Sequence, residues 1–137
     1  MTDIPARLRE AVQKRARDRC EYCQLSQVAQ EATFHVDHIT PRAQGGPTIV
    51  ENLALACVSC SLRKGSHTTA VDLSTGNAVR LFNPRLESWS DHFAWLGIEI
   101  IAKSPIGRAM IMLLDLNRPS IQAIRSEEME RGRHPLG

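Results

Sequence analysis

The sequence predicts an α+β fold, with an N-terminal helix, a central segment of strands and loops, and a C-terminal hairpin followed by helices. Three observations lead to this prediction. Apolar residues recur at helical spacing near both ends of the 137-residue chain. Short apolar runs bounded by proline and glycine occupy its middle. Two Cys-x-x-Cys pairs enclose that middle segment, so a metal ion shared by the pairs would fix both of its ends.

The composition is that of an ordinary globular protein, with 42% hydrophobic and 23% charged residues. The length suits one domain, which we predict to span residues 1–137, with a core motif at 20–67 and a C-terminal extension at 68–137. A net charge of only +2 does not by itself indicate nucleic-acid binding. Such a role has to follow from where the basic residues lie.

The sequence has no apolar run of the roughly 18 residues that would indicate a membrane span. Its first residues lack the apolar stretch of a signal peptide. We therefore expect a cytoplasmic protein with no membrane partner. In a reducing compartment its cysteines are expected to remain unpaired.

The N-terminal helix is expected within residues 4–19. Ile4, Leu8, Val12 and Ala16 recur every fourth residue and so share one helix face. The other faces carry many arginines and lysines. This pattern is compatible with a solvated surface and with a phosphate-binding surface.

In the middle of the chain, residues 34–40 predict a strand that stops at Pro41. Proline and glycine indicate a loop over residues 41–47. A mainly apolar run then leads back to the second cysteine pair. The basic stretch at 61–65 predicts one or two helical turns that end at Gly65.

In the last third, residues 71–73 and 78–82 flank four turn-forming residues and predict a hairpin. Residues 98–101 have strand character. A helix is expected to begin after Ser104 and run through Leu114, and a second helix to follow Arg118-Pro119 and reach about residue 130.

The four cysteines form two pairs with the same internal spacing, Cys20 with Cys23 and Cys57 with Cys60. Each Cys-x-x-Cys turn presents two thiolates to one ion, and two such turns complete a tetrahedron around Zn²⁺. The alternatives are buried free cysteines or a redox pair, but a redox pair would leave the second pair without a role. The spacing therefore predicts structural zinc. A site made only of thiolates is a structural site and does not itself indicate catalysis.

Between and around these pairs the sequence resembles the HNH endonucleases that have a zinc-knuckle base. The resemblance covers residues 20–65. It rests on these matching segments: Asp37-His38-Ile39-x-Pro41, Gly45-Gly46, Glu51-Asn52-Leu53, Cys57-x-x-Cys60 and Lys64-Gly65. Residues 70–137 are similar to a C-terminal extension found in one bacterial branch, to which we assign no activity.

The resemblance implies a ββα-metal, treble-clef-like motif and metal-dependent hydrolysis of DNA, and we expect the partner to be double-stranded DNA, cleaved with little sequence preference. It implies that His38 is the general base and that Asp37 is a ligand of a catalytic Mg²⁺ or Mn²⁺. Asn52 is expected to hold the loop and to orient His38 through its side-chain amide. No small-molecule cofactor is expected, and the oligomeric state is left open.

One position departs from the family pattern. The family places Asn or His directly after the last knuckle cysteine as the second metal ligand, and this chain has Ser61. Three outcomes stay open: Ser61 reaches the metal directly or through water, His35 or His67 completes the set of ligands, or the site binds DNA and cleaves it slowly. We expect the first, with Ser61 as a ligand.

Three cations, Arg42, Arg63 and Lys64, surround the predicted site in sequence and are candidates for binding the phosphodiester backbone. The alternative is ordinary solvated surface. Two rival functions also remain. One is a zinc-stabilised nucleic-acid-binding module with weak or no catalysis, and the other is a zinc-stabilised protein-interaction domain.

Overall fold

The computed structural model describes residues 4–135, which divide into two compact units. The first unit contains residues up to 68 together with 83–87, and the second contains 69–82 and the residues from 88 onward. Among the residues described, helices and short antiparallel hairpins make up the regular structure, so the predicted α+β class is confirmed. The single-domain assignment stays a prediction.

Apart from short 3-10 turns, the described residues of the first unit form two α-helices and one hairpin. Their bounds are α1 Ala6–Arg15, β1 His35–His38, β2 Leu53–Ala56 and α2 Val58–Lys64. β1 and β2 pair antiparallel, with Asp37 opposite Ala54 and His38 opposite Leu53. All four residues of β2 are buried, and α2 packs against both strands. The hairpin and helix therefore form a ββα unit.

α1 is shorter than the apolar periodicity suggested. It ends at Arg15, because Arg17 and Asp18 both have φ of 54°, in the left-handed region that a right-handed helix excludes. Val12 is fully buried on the predicted face. Arg15 donates hydrogen bonds to the carbonyls of Val50 at 3.0 Å and Leu53 at 2.7 Å, which fasten the helix end beside β2.

Apart from a short 3-10 turn, the described residues of the second unit form two hairpins and two α-helices. Their bounds are β3 Thr69–Asp72, β4 Asn77–Arg80, β5 Phe93–Leu96, β6 Glu99–Ala102, α3 Pro105–Leu114 and α4 Pro119–Glu130. The first hairpin and both helices were predicted. β5 was not, since its aromatic residues indicated only apolar bulk. It pairs antiparallel with β6, the strand expected near 98–101.

α3 packs against the two hairpins of the second unit. Arg108 on α3 makes two hydrogen bonds to the buried carboxylate of Asp72 on β3, at 3.0 and 2.9 Å. Phe82 and Phe93 meet edge to face, with ring centroids 5.6 Å apart. In residues 4–135 no helix has the length and apolar character needed to cross a membrane.

Candidate metal centre and functional site

The two Cys-x-x-Cys pairs converge on one point, as their spacing predicted. The sulfur atoms of Cys20, Cys23, Cys57 and Cys60 all lie within 4.8 Å of one another, and all four residues are buried. Tetrahedral zinc with Zn–S bonds of about 2.3 Å separates its sulfurs by about 3.8 Å. The Cys23 and Cys57 sulfurs are 3.7 Å apart. The four cysteines are thus positioned for a metal ion and fit structural zinc.

Backbone amides orient the first cysteine of each pair. The Cys23 N–H donates to the Cys20 sulfur at 3.5 Å, and the Cys60 N–H donates to the Cys57 sulfur at 3.4 Å. Cys57 also caps the N-terminus of α2. Cys57 therefore belongs both to the metal centre and to the start of the helix of the ββα unit.

Hydrogen bonds within the cysteine cluster shift the pKa values of Cys57 and Cys60 in opposite directions. Hydrogen bonds from the other three thiols and the Cys60 amide hold the pKa of Cys57 far below its ordinary value. The same hydrogen-bond cluster raises the pKa of Cys60, with burial adding to the effect. Thiols that bind a metal ion give up their protons, so metal binding at this site is coupled to proton release.

Glu21, inside the first Cys-x-x-Cys turn, connects this turn to two other segments. Its carboxylate accepts a hydrogen bond from the Leu55 amide at 2.8 Å and pairs with the guanidinium of Arg85. Both charged side chains are about 10% exposed, at 11% for Glu21 and 10% for Arg85. The ion pair attaches residues 83–87 to the metal-binding part of the first unit. Nothing in the sequence pattern identified this contact.

Asp37 and His38 are neighbours on β1, so their side chains leave opposite faces of the strand. Both are partly buried. The Asp37 carboxylate is the kind of oxygen ligand that a hard divalent cation prefers.

The His38 imidazole is fixed by a residue that sequence analysis missed. Its Nε2 lies 2.8 Å from the hydroxyl oxygen of Thr48, in the loop before β2. Since Nε2 is engaged, Nδ1 is the ring nitrogen left to accept a proton. A single threonine in a loop gives no sequence signal for this role.

The surroundings of His38 favour the neutral imidazole. Partial burial lowers the pKa of His38 below its ordinary value, and the positive charge of Arg42 lowers it further, whereas Asp37 acts in the opposite direction. A general base has to be unprotonated at the working pH. The lowered pKa favours this unprotonated state.

Asn52 corrects one predicted contact. Its side chain accepts from the Thr40 amide at 2.9 Å and donates to the carbonyls of Thr40 and Pro47 at 3.1 and 2.8 Å. Its amide group is thus used by the loop backbone, and the expected side-chain hydrogen bond to His38 is wrong. Asn52 closes the loop that carries Thr48, so its influence on His38 is indirect.

Lys64 corrects a second prediction. It is only 1% exposed, and its ammonium donates to the carbonyls of Ile39 at 3.1 Å and His38 at 3.4 Å. Burial lowers the pKa of Lys64, and the nearby Asp37 opposes that shift. Lys64 is therefore a structural cation that ties α2 to the end of β1, and not a surface contact for nucleic acid.

The remaining predicted residues divide between the surface and α2. Arg42 and Arg63 are exposed, and Arg63 donates to the Ser59 hydroxyl at 3.2 Å. The Ser61 hydroxyl lies 2.8 Å from Nδ1 of His35, across the space between α2 and β1. His67 is exposed on the segment after α2.

Comparison with known proteins agrees with this geometry over the metal-binding segment. Residues 20–67 match the family model described as HNH endonuclease. No curated protein and no solved structure matches the chain.

Proposed function

We propose, because residues 20–67 match the family model described as HNH endonuclease, that the protein is a metal-dependent endonuclease that hydrolyses phosphodiester bonds in DNA. The observation that carries this proposal is the contact between His38 Nε2 and the Thr48 hydroxyl, which are 2.8 Å apart. Asp37, the proposed metal ligand, precedes His38 on β1.

In this proposal His38 is the general base. Its free Nδ1 takes a proton from the water molecule that attacks the phosphorus, while Thr48 holds the ring by Nε2. Asp37 would hold the catalytic divalent ion, Mg²⁺ or Mn²⁺, which neutralises charge on the phosphate and on the leaving 3′ oxygen. The products are a 5′-phosphate and a 3′-hydroxyl.

The proposed substrate is duplex DNA, cleaved with little sequence preference. Arg42 and Arg63 are exposed and lie on the segments that flank the site, and guanidinium groups bind phosphates without reading bases. The proposed compartment is the cytoplasm, where a reducing environment suits four cysteines that form no disulfide.

Cleavage of supercoiled plasmid by the zinc-loaded protein, with Mg²⁺ or Mn²⁺ added, tests the proposal. We expect nicked and then linear DNA, and a loss of about 100-fold or more in rate for His38→Ala. His67→Ala, an exposed histidine outside the ββα unit, is the matched control. Undiminished cleavage by His38→Ala would show that His38 is not the base.

A second function is favoured by the hydroxyl at position 61, where the family has an amide or an imidazole. The chain would then bind nucleic acid through the same surface without cleaving it. Binding of duplex DNA at low salt, with no nicking under any divalent ion tried, supports this alternative. A large gain in cleavage by Ser61→Asn would identify a weakened catalytic site.

A further inference from the structure

In the proposed nuclease, the catalytic ion needs a second protein ligand beside Asp37. The family supplies it at the position of Ser61, and in this chain Ser61 contacts a histidine. Its hydroxyl lies 2.8 Å from Nδ1 of His35. We infer that His35 takes over as the nitrogen ligand of the catalytic ion, with Ser61 holding it in place. This inference rests on the proposed function and names the ligand that compensates for the missing family residue.

The strand geometry brings His35 to the side of the proposed ion. His35 and Asp37 are two residues apart on β1 and so project from the same face. On α2, Ser61 contacts His35, and Lys64, one helical turn later, reaches the end of β1 and acts electrostatically on Asp37. α2 therefore runs along the face that carries both proposed ligands.

The contact with Ser61 also prepares the imidazole for coordination. A ligating histidine commonly donates its second ring N–H to an oxygen acceptor, which fixes the tautomer and the ring orientation. With Nδ1–H donated to the Ser61 hydroxyl, the lone pair of His35 lies on Nε2. His35 is exposed, so Nε2 is accessible to an ion from solvent. Ser61 acts in this arrangement as a positioning residue.

A nitrogen ligand changes the expected metal preference. Carboxylate and water ligands alone suit Mg²⁺, whereas one imidazole strengthens binding of Mn²⁺, Co²⁺ and Ni²⁺. We therefore expect this site to bind Mn²⁺ more tightly than Mg²⁺. This selectivity depends on His35.

The experiment uses the full chain with zinc in the cysteine site, Mn²⁺ as the probe and no DNA. Pulsed electron paramagnetic resonance detects nitrogen nuclei that are bonded to Mn²⁺, and titration gives its Kd. We expect nitrogen modulation in the wild type, its loss in His35→Gln, and a rise in Kd of about 10-fold or more. His67→Gln, the other histidine considered for this role, should retain both properties.

Two further variants test the part played by Ser61. Ser61→Ala should weaken Mn²⁺ binding by about 10-fold, as loss of an outer hydrogen-bond partner does. Combining His35→Gln with Ser61→Asn should restore the affinity, without the imidazole signal. Zinc content and far-UV circular dichroism establish that each variant is folded.

Nitrogen modulation that persists in His35→Gln, or Mn²⁺ bound with no nitrogen signal in the wild type, would overturn the inference. If the protein cleaves plasmid DNA and either result is found, the nuclease proposal stands and only the role of His35 as a metal ligand is rejected. If the nitrogen modulation depends on His35 but the protein does not nick DNA, the role of His35 as a metal ligand is supported and the nuclease proposal is contradicted.

Discussion

At the level of single residues, His38 is held by one hydroxyl. Thr48 contacts Nε2 and thereby leaves Nδ1 to the proposed attacking water. An imidazole that is free to rotate would present either nitrogen, and the base would be correctly oriented for only part of the time. The loop before β2 is thus part of the proposed site.

We predict that Thr48→Val lowers the cleavage rate by about 10-fold, because the ring loses its partner while the shape of the side chain is kept. Thr48→Ser retains the hydroxyl and should cleave like the wild type. Initial rates of plasmid nicking at saturating DNA measure the effect. Equal rates for the valine and serine variants would show that the contact does not orient the base.

Two residue-level errors of the sequence analysis have physical causes. Lys64 was assigned to the surface because lysine is rarely buried without a partner, and its partners here are backbone carbonyls that a sequence does not reveal. Asn52 was given a contact with His38 because the two are close in the family pattern. Its amide is instead used by the backbone of Thr40 and Pro47.

At the level of elements, the loop between β1 and β2 folds back so that the backbone of Gly46 lies close to that of Thr40. A Cβ on Gly46 would lie 1.8 Å from the Thr40 carbonyl oxygen and 2.9 Å from the Asn52 amide nitrogen. Glycine is therefore required by close backbone approach. At Gly45 the requirement is different, since its φ of 87° is left-handed but the space around it is open.

We predict that Gly46→Ala lowers the free energy of unfolding by about 3 kcal/mol, because backbone has to move to admit the methyl group. Gly45→Ala should cost about 1 kcal/mol, the penalty of a left-handed backbone alone. Urea unfolding midpoints distinguish the two variants. An equal loss of unfolding free energy in the two variants would mean that the loop backbone moves to accommodate the methyl group at position 46.

The ion pair between β3 and α3 predicts a pH dependence. Hydrogen bonds from Arg108 lower the pKa of Asp72 from 3.8 to about 2. A depressed folded-state pKa means that the stabilisation is complete above about pH 4 and is lost as the pH falls toward 2. In Asp72→Asn the unfolding midpoint should depend less on pH in this window, whereas exposed Glu130→Gln should behave as the wild type. An unchanged acid slope in Asp72→Asn would contradict the assignment.

Elements with local signals were predicted well. α3 and α4 begin at Pro105 and Pro119, where proline occupies the first helical position. β5 was missed because its residues, Phe93–Leu96, are all apolar and show no alternation with polar residues, although only Gly97 and Ile98 separate it from β6. α1 ended early at a left-handed backbone that its composition did not indicate.

At the level of the whole molecule, four sulfurs from two distant segments of the first unit converge on one site that fits structural zinc. Structural zinc contributes about 10–16 kcal/mol in small zinc-binding peptides, which is comparable to the total stability of a typical domain. The spacing of the cysteines was sufficient to predict this centre, because two identical short turns need no long-range information. The Glu21–Arg85 ion pair could not be predicted in this way, because it joins residues that lie far apart in the sequence.

We predict that removing zinc with a strong chelator releases one ion per chain and unfolds the ββα unit. Circular dichroism and a colorimetric zinc assay record the two changes together. Asp37→Ala should keep its zinc, because Asp37 lies outside the cysteine cluster. Retention of native ellipticity after complete zinc release would show that the ion is dispensable.

The Arg85 guanidinium that meets Glu21 comes from a five-residue stretch lying more than twenty positions beyond the last cysteine. A chimera that joins only residues 20–67 to a new partner therefore lacks the counter-charge of Glu21, in the first Cys-x-x-Cys turn. Replacing Glu21 with a neutral glutamine, or supplying an arginine from the new partner, would be the minimal repair for such a chimera.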